Sequence, residues 1–442
     1  MSASSSLGKD RILAAQKRRR NVQRGLEVLP YINHRTSALG HFGWTRDLIL
    51  STWEQAHTGL PPTSGREYRI GNSGDGFDVL RFKNLTLPRL DEMESSGVDI
   101  SLSLNRRTYG QEVKIDVPWY GAGMSYGSVS LPFMLSRARA ARELNTLTCT
   151  GEGGYPPELL PYANHVITQA STGYFGVREE ILRISRINEF KYAQGAKPGL
   201  GGHLLAYKVT EDVANMRETV AGVDIYQPFP FHSVYSVEDH KKHVDWLRSV
   251  NPEALVSVKV STPIDVDMVA IGIYYAGAHI IHLDGGYGAT GAAPNFAKKN
   301  IAMPTEFAIP VVHKYLVEES VRDDVILVAS GRVRSAHDIA KAIALGADGC
   351  VIGTAEAIAV GCTQCGNCEK GASNRGCQLG IATPDREYSL VLDADWASRR
   401  IVNLEKAWAL ELKRILLGLG LESVEELRGR TDLLVDLGGS IG

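Results

Sequence analysis

Short apolar runs alternate with glycine-bearing loops and longer helical patterns between about residues 110 and 360, and this alternation narrows the available folds more than any other feature. Eight of the runs have the length and near-continuous apolar character of strands that are buried on both faces. In order, they are VPWYGAG, NTLTCT, HVITQA, NEFKYA, ALVSVKV, HIIHLD, VILVAS and DGCVIGT. Eight strands that alternate with helices predict an α/β fold, a closed TIM (β/α)8 barrel. An open doubly wound sheet is the alternative, but no GxGxxG fingerprint opens the first strand-helix unit.

The segments on either side of this region have a different texture, so the chain divides into three predicted parts. Residues 1–69 read as an N-terminal extension, with a helical pattern in TRDLILSTWEQAH and the start of the turn-rich stretch GLPPTSGREYRIGNSGDG. Residues 70–390 hold the barrel. Residues 391–442 form a helical tail, because ASRRIVNLEKAWALELKRILLGLGL is apolar at helical spacing. We expect both flanking parts to make subunit contacts.

Charge and hydropathy exclude several classes of partner. The formal net charge of -2 gives no general attraction to nucleic acid or to a membrane surface. No apolar run approaches the roughly 18 to 20 residues of a transmembrane helix, and no signal peptide with an apolar centre is present. The basic stretch DRILAAQKRRRNVQRG is interpreted as a solvated helix or arm rather than a transit peptide. We therefore expect a cytoplasmic protein, with Cys149 and Cys350 as buried small residues.

Two glycine loops late in the barrel region indicate a phosphate site, in VASGRVRSAHDIAKAIALGADGCVIGTA at residues 328–355. The first loop, at Gly331-Arg332, follows the seventh strand and precedes a helix that begins near Ser335. The second loop is Gly353-Thr354. Loops after strands seven and eight of such barrels bind phosphate through backbone N–H groups, and glycine lets the backbone approach the anion. The pattern does not separate flavin mononucleotide from a nucleotide or a sugar phosphate, and ordinary tight turns are the alternative.

A lysine in an apolar strand points to a negative ligand. Lys259 lies within LVSVKVS, where an unpaired cation would pay a large desolvation cost. We expect it to point into the mouth of the barrel, and an internal salt bridge is the alternative. The stretch LDGGYGATGAAP follows the sixth strand and begins with Asp284, Gly285 and Gly286. It suits close backbone approach to a planar ligand or its phosphate, and a flexible lid is the alternative.

The stretch KYAQGAKPGLGGHL at residues 191–204 follows the fourth strand and suits an anionic substrate. Lys191 and Lys197 flank a glycine-rich backbone, an arrangement that fits a dicarboxylate. Arg217 could complete a carboxylate clamp, since guanidinium is the best bidentate partner of a carboxylate. A surface arginine is the alternative for this position.

Four of the six cysteines lie within sixteen residues, at Cys362, Cys365, Cys368 and Cys377. Zinc and an iron-sulfur cluster both take thiolates from short glycine-containing turns. The closely spaced CxxCxxC run resembles ferredoxin ligation more than a zinc ribbon, which has two separated CxxC knuckles. Disulfides are not expected in a cytoplasmic chain. An iron-sulfur cluster is thus favoured, and zinc remains the alternative.

These stretches together resemble the flavin-binding synthase domain of the glutamate synthase family. The ordered motifs include GMSYGSVS, TCTGEGG, TQASTGYFGV, EFKYAQGAKPGLGGHL, VYSVEDH, VSVKVS, LDGGYGATGAAP and GCTQCGNC...CQLGIAT. The resemblance covers roughly residues 70–390. It implies a TIM barrel with flavin mononucleotide (FMN) at its C-terminal face and an iron-sulfur cluster nearby.

The resemblance also implies roles for individual residues. The loop Met124–Ser130, Gln169, Lys259, Gly331 and Gly353-Thr354 match the family's flavin contacts. With the glycine loops described above, the predicted cofactor residues are Met124, Ser125, Tyr126, Gly127, Ser128, Gln169, Lys259, Asp284, Gly285, Gly286, Gly331, Arg332, Gly353 and Thr354. Lys197 and Arg217 match the ligands of the 2-oxoglutarate carboxylates, and Glu152 matches the acid near the point where ammonia arrives. Lys259, Glu152, Lys197 and Arg217 are therefore the predicted catalytic set.

Three departures from the family pattern affect these assignments. His203 stands where the family uses a glutamine on 2-oxoglutarate, and Leu200 replaces an acid, so substrate contacts differ. The motif before the Asp284 glycines is altered as well. Cys362, Cys368 and Cys377 match the ligands of the family's 3Fe-4S cluster, whereas Cys365 is additional and makes a 4Fe-4S cluster conceivable.

The function that this resemblance implies depends on the partners. No amidotransferase domain precedes the barrel, and no β-helix follows it, so we expect both as separate subunits. That arrangement resembles the C subunit of methylamine-glutamate N-methyltransferase, which forms N-methylglutamate from glutamate and methylamine through 2-oxoglutarate, an imine and hydride transfer from reduced FMN. The alternative is a glutamate synthase core that makes glutamate from 2-oxoglutarate and ammonia with electrons from ferredoxin or NAD(P)H.

Two further classes of protein are alternatives. The first is a nucleotide dehydrogenase of the inosine monophosphate type, which has similar phosphate loops but lacks the four-cysteine cluster. The second is a non-enzymatic scaffold for partner subunits, which would not need Lys259 or Arg217 for function.

Overall fold

The computed structural model describes residues 39–66, 76–93, 97–199, 202–229, 231–366, 368 and 375–436, apart from positions 42, 289, 291, 292 and 294. The basic stretch DRILAAQKRRRNVQRG and part of GLPPTSGREYRIGNSGDG lie outside the described residues. Leu200 and several positions of LDGGYGATGAAP also lie outside them.

Eight parallel strands form the centre of the molecule, and each lies within one of the eight apolar runs or extends one residue beyond it. The strands are β1 Trp119–Gly121, β2 Thr148–Cys149, β3 Val166–Ser171, β4 Ile187–Lys191, β5 Leu255–Ser261, β6 Ile280–Asp284, β7 Ile326–Ser330 and β8 Gly349–Ile352. Nearly every strand residue is buried, as expected for strands covered by helices on one side and by the barrel interior on the other. The predicted TIM barrel is confirmed.

The strands follow one another around the barrel in chain order, so the sheet closes on itself. Each strand from β2 to β8 is hydrogen-bonded in parallel to the next, and β8 is bonded to β1. Between β1 and β2 the ring is completed by a bridge from Gly123 to Cys149 and by the Gly121 amide, which donates to the Leu147 carbonyl at 2.8 Å. Ligand-binding loops of such barrels lie at the carboxyl ends of the strands.

Helices surround the barrel and flank it at both ends of the described chain. They are α1 Arg46–Thr58, α2 Leu131–Glu143, α3 Glu179–Ile184, α4 Glu211–Arg217, α5 Val237–Val250, α6 Val266–Tyr275, α7 Asn295–Asn300, α8 Thr305–Glu318, α9 Ala336–Ala344, α10 Thr354–Ala359, α11 Arg386–Ser389, α12 Ala394–Gly418 and α13 Val424–Leu427. Short 3-10 helices lie at Gly76–Val79, Leu90–Met93, Pro157–His165, Ala206–Lys208, Arg322–Asp324 and Thr431–Leu433. In the described residues, no helix is long and apolar enough to cross a membrane.

Three small antiparallel pairs complete the secondary structure. They are Leu102–Ser103 with Lys114–Ile115, His203–Leu204 with Ile225–Tyr226, and Leu80–Phe82 with Leu434–Asp436. The last pair joins the N-terminal part of the described chain to its C-terminal part. The domain boundaries at residues 69 and 390 stay predictions.

The long helix α12 packs against the barrel, not away from it. Its N-terminus is capped by Asp393, whose side chain accepts from the Trp396 amide, and its buried face carries Trp408. Trp408 lies edge-on against Trp119 of β1, with ring centroids 6.2 Å apart. Arg400 donates to the Trp53 carbonyl of α1 at 3.0 Å. The tail and α1 therefore share one apolar core with the last strands and helices of the barrel.

Candidate active site

Polar and charged side chains gather inside the carboxyl end of the barrel. In the ladder that joins β4, β5 and β6, Lys191 pairs with Lys259, and Lys259 pairs with His282. Because paired residues on parallel strands point to the same face, these three side chains form one layer of the barrel interior. The next layer lies two residues nearer the carboxyl ends of β5 and β6, and it contains Ser261, Asp284 and Ser330 of β7. The candidate site is built on these two layers.

Lys259 is 7% exposed, and its ammonium group lies 3.2 Å from Oδ2 of Asp284. Burial lowers the pKa of Lys259, but Asp284 and Glu189 outweigh that effect, so the pKa lies above its ordinary value. Lys259 is therefore a buried cation at the barrel mouth. The internal salt bridge that the sequence left as an alternative is present, and the ammonium group still lies at the ligand-binding end.

Asp284 connects this cation to two loops. Its Oδ2 accepts from the Gly195 amide at 3.0 Å, and its Oδ1 accepts from the Ser330 hydroxyl at 2.5 Å. Gly195 has no space for a side chain, because an added Cβ would lie 1.9 Å from the carbonyl oxygen of Gly285. The loops after β4 and β6 thus pack backbone against backbone, which explains why glycine is needed at the point where they meet.

Sequence reasoning missed a second part of this network, centred on Glu189 and His282. Nδ1 of His282 lies 3.0 Å from Oε2 of Glu189, and Nε2 lies 2.8 Å from the Ser330 hydroxyl. Glu189 also accepts from Gln169 at 2.6 Å and from Ser257 at 2.9 Å. The sequence did contain a signal that could have identified Glu189. It is an acid inside the apolar run NEFKYA, just as Lys259 is a cation inside LVSVKVS.

A second charged cluster lies beside the first and is centred on Glu152. Its Oε2 lies 2.6 Å from the ammonium group of Lys191. Burial raises the pKa of Glu152, but the ion pair with Lys191 and the nearby charges of Arg217 and Lys197 outweigh it, so the pKa is lowered. Glu152 is therefore ionised, and three predicted site residues lie within electrostatic reach of one another.

Arg217 is buried, with 3% exposure, so the surface position considered from sequence is wrong. Its Nη2 donates to the Ser125 hydroxyl and to the Tyr126 carbonyl, each at 3.1 Å. Its guanidinium group is held against Gly153, where an added Cβ would lie 2.5 Å from Cζ. Arg217 thereby joins the predicted substrate residues to the loop Met124–Ser128, which carries predicted cofactor contacts.

Lys197 and His203 approach the same cluster from the glycine-rich stretch. Nζ of Lys197 lies 3.4 Å from Nδ1 of His203, which stands in the small hairpin with Ile225–Tyr226. Gly202, next to His203, is packed on Glu152, because an added Cβ would lie 2.3 Å from Oε1. Glu152, Lys191, Lys197, His203 and Arg217 therefore share one cluster, which we name the cation cluster.

The predicted phosphate loops lie side by side, since β7 and β8 are neighbouring strands. Gly331 and Arg332 have consecutive positive φ angles of 116° and 63°, which turn the chain sharply at the end of β7. Ser335 then caps α9 by accepting from the Asp338 amide, as the predicted helix start near Ser335 required. The Arg332 guanidinium lies 5.4 Å from the ring centre of Tyr287.

The remaining predicted cofactor residues lie around this rim. The hydroxyls of Ser125 and Ser128 are 3.1 Å apart, in the loop that includes Gly127. An added Cβ at Gly353 would lie 3.1 Å from Cε of Met124. The other positions are Gln169 inside the barrel, Gly285 and Gly286 after β6, and Thr354 at the start of α10. Their roles toward a cofactor stay predictions.

The four clustered cysteines are free thiols in the loop after α10. Burial first, and the neighbouring thiols second, raise the pKa of Cys362 to about 12. Lys208 donates to the carbonyl of Cys368 at 3.0 Å, and Cys365 is exposed. The donor chemistry fits an iron-sulfur cluster, yet among the described residues no group of three or more His, Cys, Asp or Glu is arranged to hold a metal. The cluster stays a prediction.

The described fold and site define a class: a TIM barrel with a charged ligand site at the carboxyl ends of its strands. A family model described as a conserved region in glutamate synthase matches residues 84–422. This match covers most of the chain, so the chain belongs to the glutamate synthase family. The family that the sequence motifs indicated is confirmed.

Individual relatives support this assignment. The archaeal glutamate synthase (NADPH) of Methanocaldococcus jannaschii is 41% identical over 425 residues, which cover 89% of this chain and 82% of the relative. The archaeal-type glutamate synthase (NADPH) of Dehalococcoides mccartyi is 41% identical over 403 residues, covering 87% and 79% of the two chains. The glutamate synthase (NADPH) large chain of Azospirillum brasilense is 36% identical over 71% of this chain, which corresponds to 21% of that longer polypeptide.

A solved structure agrees on the fold. A mutant flavocytochrome b2 with pyruvate bound superimposes with a TM-score of 0.50 at 14% identity, over 96% of this chain and 93% of that chain. At this identity the likeness concerns the architecture alone. The relatives reported above are glutamate synthases, and none of them is a methylamine-glutamate N-methyltransferase. The prediction of N-methylglutamate synthesis is therefore not confirmed, and its alternative agrees better with the comparisons.

Proposed function

We propose that this chain is the catalytic core of a glutamate synthase of the archaeal type, which forms glutamate from 2-oxoglutarate and ammonia. The observation that carries the proposal is the cation cluster at the carboxyl end of the barrel, in a chain of the glutamate synthase family. The names of the archaeal and archaeal-type relatives include NADPH, so we propose that the electrons derive from NADPH.

The charge of the cation cluster suits a dicarboxylate. Lys191, Lys197 and Arg217 carry three positive charges against the single carboxylate of Glu152, which leaves an excess of two. The substrate 2-oxoglutarate carries two negative charges at neutral pH. Buried cations have lost part of their hydration, so a dianion that restores hydrogen bonds and neutrality binds more favourably than a neutral ligand. Arg217 and Lys197 are the proposed carboxylate ligands.

Glu152 is proposed to act on the nitrogen substrate. Since its pKa is lowered by Lys191, it is ionised at neutral pH and can accept a proton but not donate one. The nucleophile is ammonia, and the Glu152 carboxylate can accept a hydrogen bond from its N–H and hold it beside the 2-oxo carbon. There ammonia adds to the carbonyl, and loss of water gives the imine.

The residues at the barrel mouth fit flavin mononucleotide. Lys259 is a buried cation at the carboxyl end of the barrel, and Gly331 with Arg332 forms a sharp turn beside the N-terminus of α9, as a phosphate requires. When bound, this cofactor would supply the hydride that reduces the imine carbon. Lys259 would stabilise negative charge on the ring, and the loop Met124–Ser128 would hold the ring edge.

Isotope labelling tests the proposal. The chain is loaded with FMN under anaerobic conditions, supplied with a chemical electron donor, and given 2-oxoglutarate with 15N-ammonium. We expect 15N-glutamate by NMR, and we expect Arg217→Ala or Lys197→Ala to raise the KM for 2-oxoglutarate while FMN stays bound. Formation of a product only with methylamine, or no product with either amine, would overturn the proposal.

A further inference from the structure

His282 is an enclosed polar side chain of the barrel interior, and neither the sequence motifs nor the family match assigns it a role. It is 1% exposed and lies on β6, in register with Lys259 of β5. Both of its ring nitrogens are in hydrogen-bond contact, Nδ1 with Glu189 and Nε2 with Ser330. The directions of these hydrogen bonds determine how many protons the ring carries.

On the Nε2 side, the Ser330 hydroxyl has one hydrogen and two neighbours. Its oxygen lies 2.5 Å from Oδ1 of Asp284, and the pairing of Asp284 with Lys259 overcomes the effect of burial and lowers the pKa of Asp284 to about 2. An ionised carboxylate only accepts, so the hydroxyl hydrogen is directed to Asp284. The hydroxyl oxygen therefore presents a lone pair to His282, and Nε2 must carry a hydrogen.

On the Nδ1 side, the partner is again an acceptor. Glu189 accepts from the Gln169 amide and the Ser257 hydroxyl, and bonds of this kind favour the ionised carboxylate. An ionised Glu189 has no hydrogen to give, so Nδ1 must carry one as well. A ring with hydrogens on both nitrogens is an imidazolium cation.

We infer that His282 is held as an imidazolium and acts as a positioning residue, which orients Asp284 and through it Lys259 at the barrel mouth, where the proposed flavin would bind. The inference rests on the proposed function for its consequence, but not for its geometry. The path runs from Glu189 through His282, Ser330 and Asp284 to Lys259, and each link is a contact of 3.2 Å or less.

The charges of the barrel interior indicate what the imidazolium form of His282 contributes. Two cations, Lys259 and His282, face two carboxylates, Glu189 and Asp284, so the interior is neutral. Lys191, in the same layer, is paired with Glu152 at 2.6 Å, so that pair adds no net charge. Tyr120 and Cys149 also face the interior and stay neutral, because burial raises the pKa of both. A neutral imidazole would leave an excess negative charge beneath the flavin. Negative charge there would oppose the anionic reduced ring.

Nuclear magnetic resonance of the full chain tests the protonation state directly. The chain is labelled with 15N-histidine and observed without and with FMN, and the His282 signal is identified by its absence in His282→Gln. We expect a directly bonded hydrogen on both ring nitrogens at neutral pH, without and with FMN. A ring with a hydrogen on only one nitrogen would overturn the inference.

Matched variants test the consequence. His282→Gln keeps a hydrogen-bonding side chain but removes the charge, whereas His282→Lys keeps a charge. We expect the midpoint potential of bound FMN to become more negative in His282→Gln and to be largely restored in His282→Lys. Equal shifts in both variants would contradict a role for the charge. If the variants fail to fold, the His282 ring is assigned by through-bond NMR of the unmodified chain, and the protonation measurement still decides.

The failures of the two proposals can be told apart. A singly protonated His282 in a chain that forms 15N-glutamate would remove the inference and leave the proposed function standing. A doubly protonated His282 in a chain that forms no glutamate would remove the proposed function and leave the inferred protonation state standing.

Discussion

Lys259 and Asp284 form a buried ion pair between β5 and β6, with Nζ and Oδ2 3.2 Å apart. The pair stands at the end of the barrel where ligands bind, and it joins the Glu189–His282 network to the loop that carries Gly195. Its position links the stability of the barrel to the chemistry proposed at its mouth.

Removal of the carboxylate charge in Asp284→Asn should destabilise the chain strongly. Lys259 would then be a buried cation without its nearest counter-charge, and loss of one partner of a buried pair costs about 3–5 kcal/mol. Urea unfolding measures the change. Asp245→Asn, which removes an exposed partner of Lys241, is the control and should change little. An Asp284→Asn chain as stable as the unmodified chain would show that the pair contributes nothing.

Lys197→Ala should weaken 2-oxoglutarate binding without loss of FMN. A hydrogen bond to a charged group contributes about 1.5–3 kcal/mol, so we expect the KM to rise roughly tenfold to a hundredfold. Steady-state kinetics and the visible spectrum check both parts. Lys242→Ala, on the exposed face of α5, is the matched control. A variant that loses FMN but keeps its KM would place Lys197 in the cofactor site instead.

Gly202→Ala should damage the cation cluster. Its new methyl group would lie 2.3 Å from Oε1 of Glu152 and would push that carboxylate away from Lys191. We expect a large fall in kcat, with circular dichroism unchanged. Gly97→Ala is a suitable control, because nothing lies within 4 Å of its added Cβ. Equal activity in the two variants would mean that catalysis does not depend on the position of the Glu152 carboxylate next to Lys191.

Stability should fall as the pH rises, owing to a buried acid outside the site. Burial and the neighbouring Glu356 raise the pKa of Glu405 to about 8, while Trp119 donates to Glu405 at 3.1 Å. In the unfolded chain a glutamate titrates near 4.3, so this group's contribution is present below that pH and is lost by about pH 8. Urea unfolding from pH 5 to 8.5 should show a flatter profile for Glu405→Gln. Parallel profiles for the two chains would contradict this origin.

Iron content should distinguish the cysteines. If three thiolates hold a 3Fe-4S cluster, as the family motif implies, Cys365→Ser should retain iron and Cys362→Ser should lose it. Cys365 is exposed and the Cys362 thiol is buried, which agrees with Cys362, and not Cys365, as an iron ligand. Iron analysis and electron paramagnetic resonance after anaerobic purification make the comparison. Loss of iron in Cys365→Ser would indicate four ligands, and zinc in the purified chain would replace the iron-sulfur prediction.

Much of the barrel could be read from the sequence, because buried parallel strands are apolar along their whole length. All eight strands lie within the predicted runs or extend one residue beyond them, and α1, α9 and α12 lie where helical spacing and capping indicated. The prediction of the helix start near Ser335 rested on a local signal, a side chain that can cap the first turn.

The Glu189–His282 contact could not be read from the sequence. The two residues lie on β4 and β6, which are not neighbours, so their approach depends on barrel closure and on which layer each side chain joins. Likewise, Arg217 is buried only because Gly153 leaves space for its guanidinium group, a contact across 64 positions of the chain. Local spacing carries no information on such distances.

A single turnover of the reduced chain tests the central claim most directly. FMN-loaded chain is photoreduced without oxygen, and its visible absorbance is followed after 2-oxoglutarate and ammonium are added separately and together. We predict that the oxidised flavin spectrum returns only with both substrates, with one glutamate formed for each flavin. A spectrum that stays bleached with both, or returns only when methylamine replaces ammonium and yields N-methylglutamate, would contradict the account.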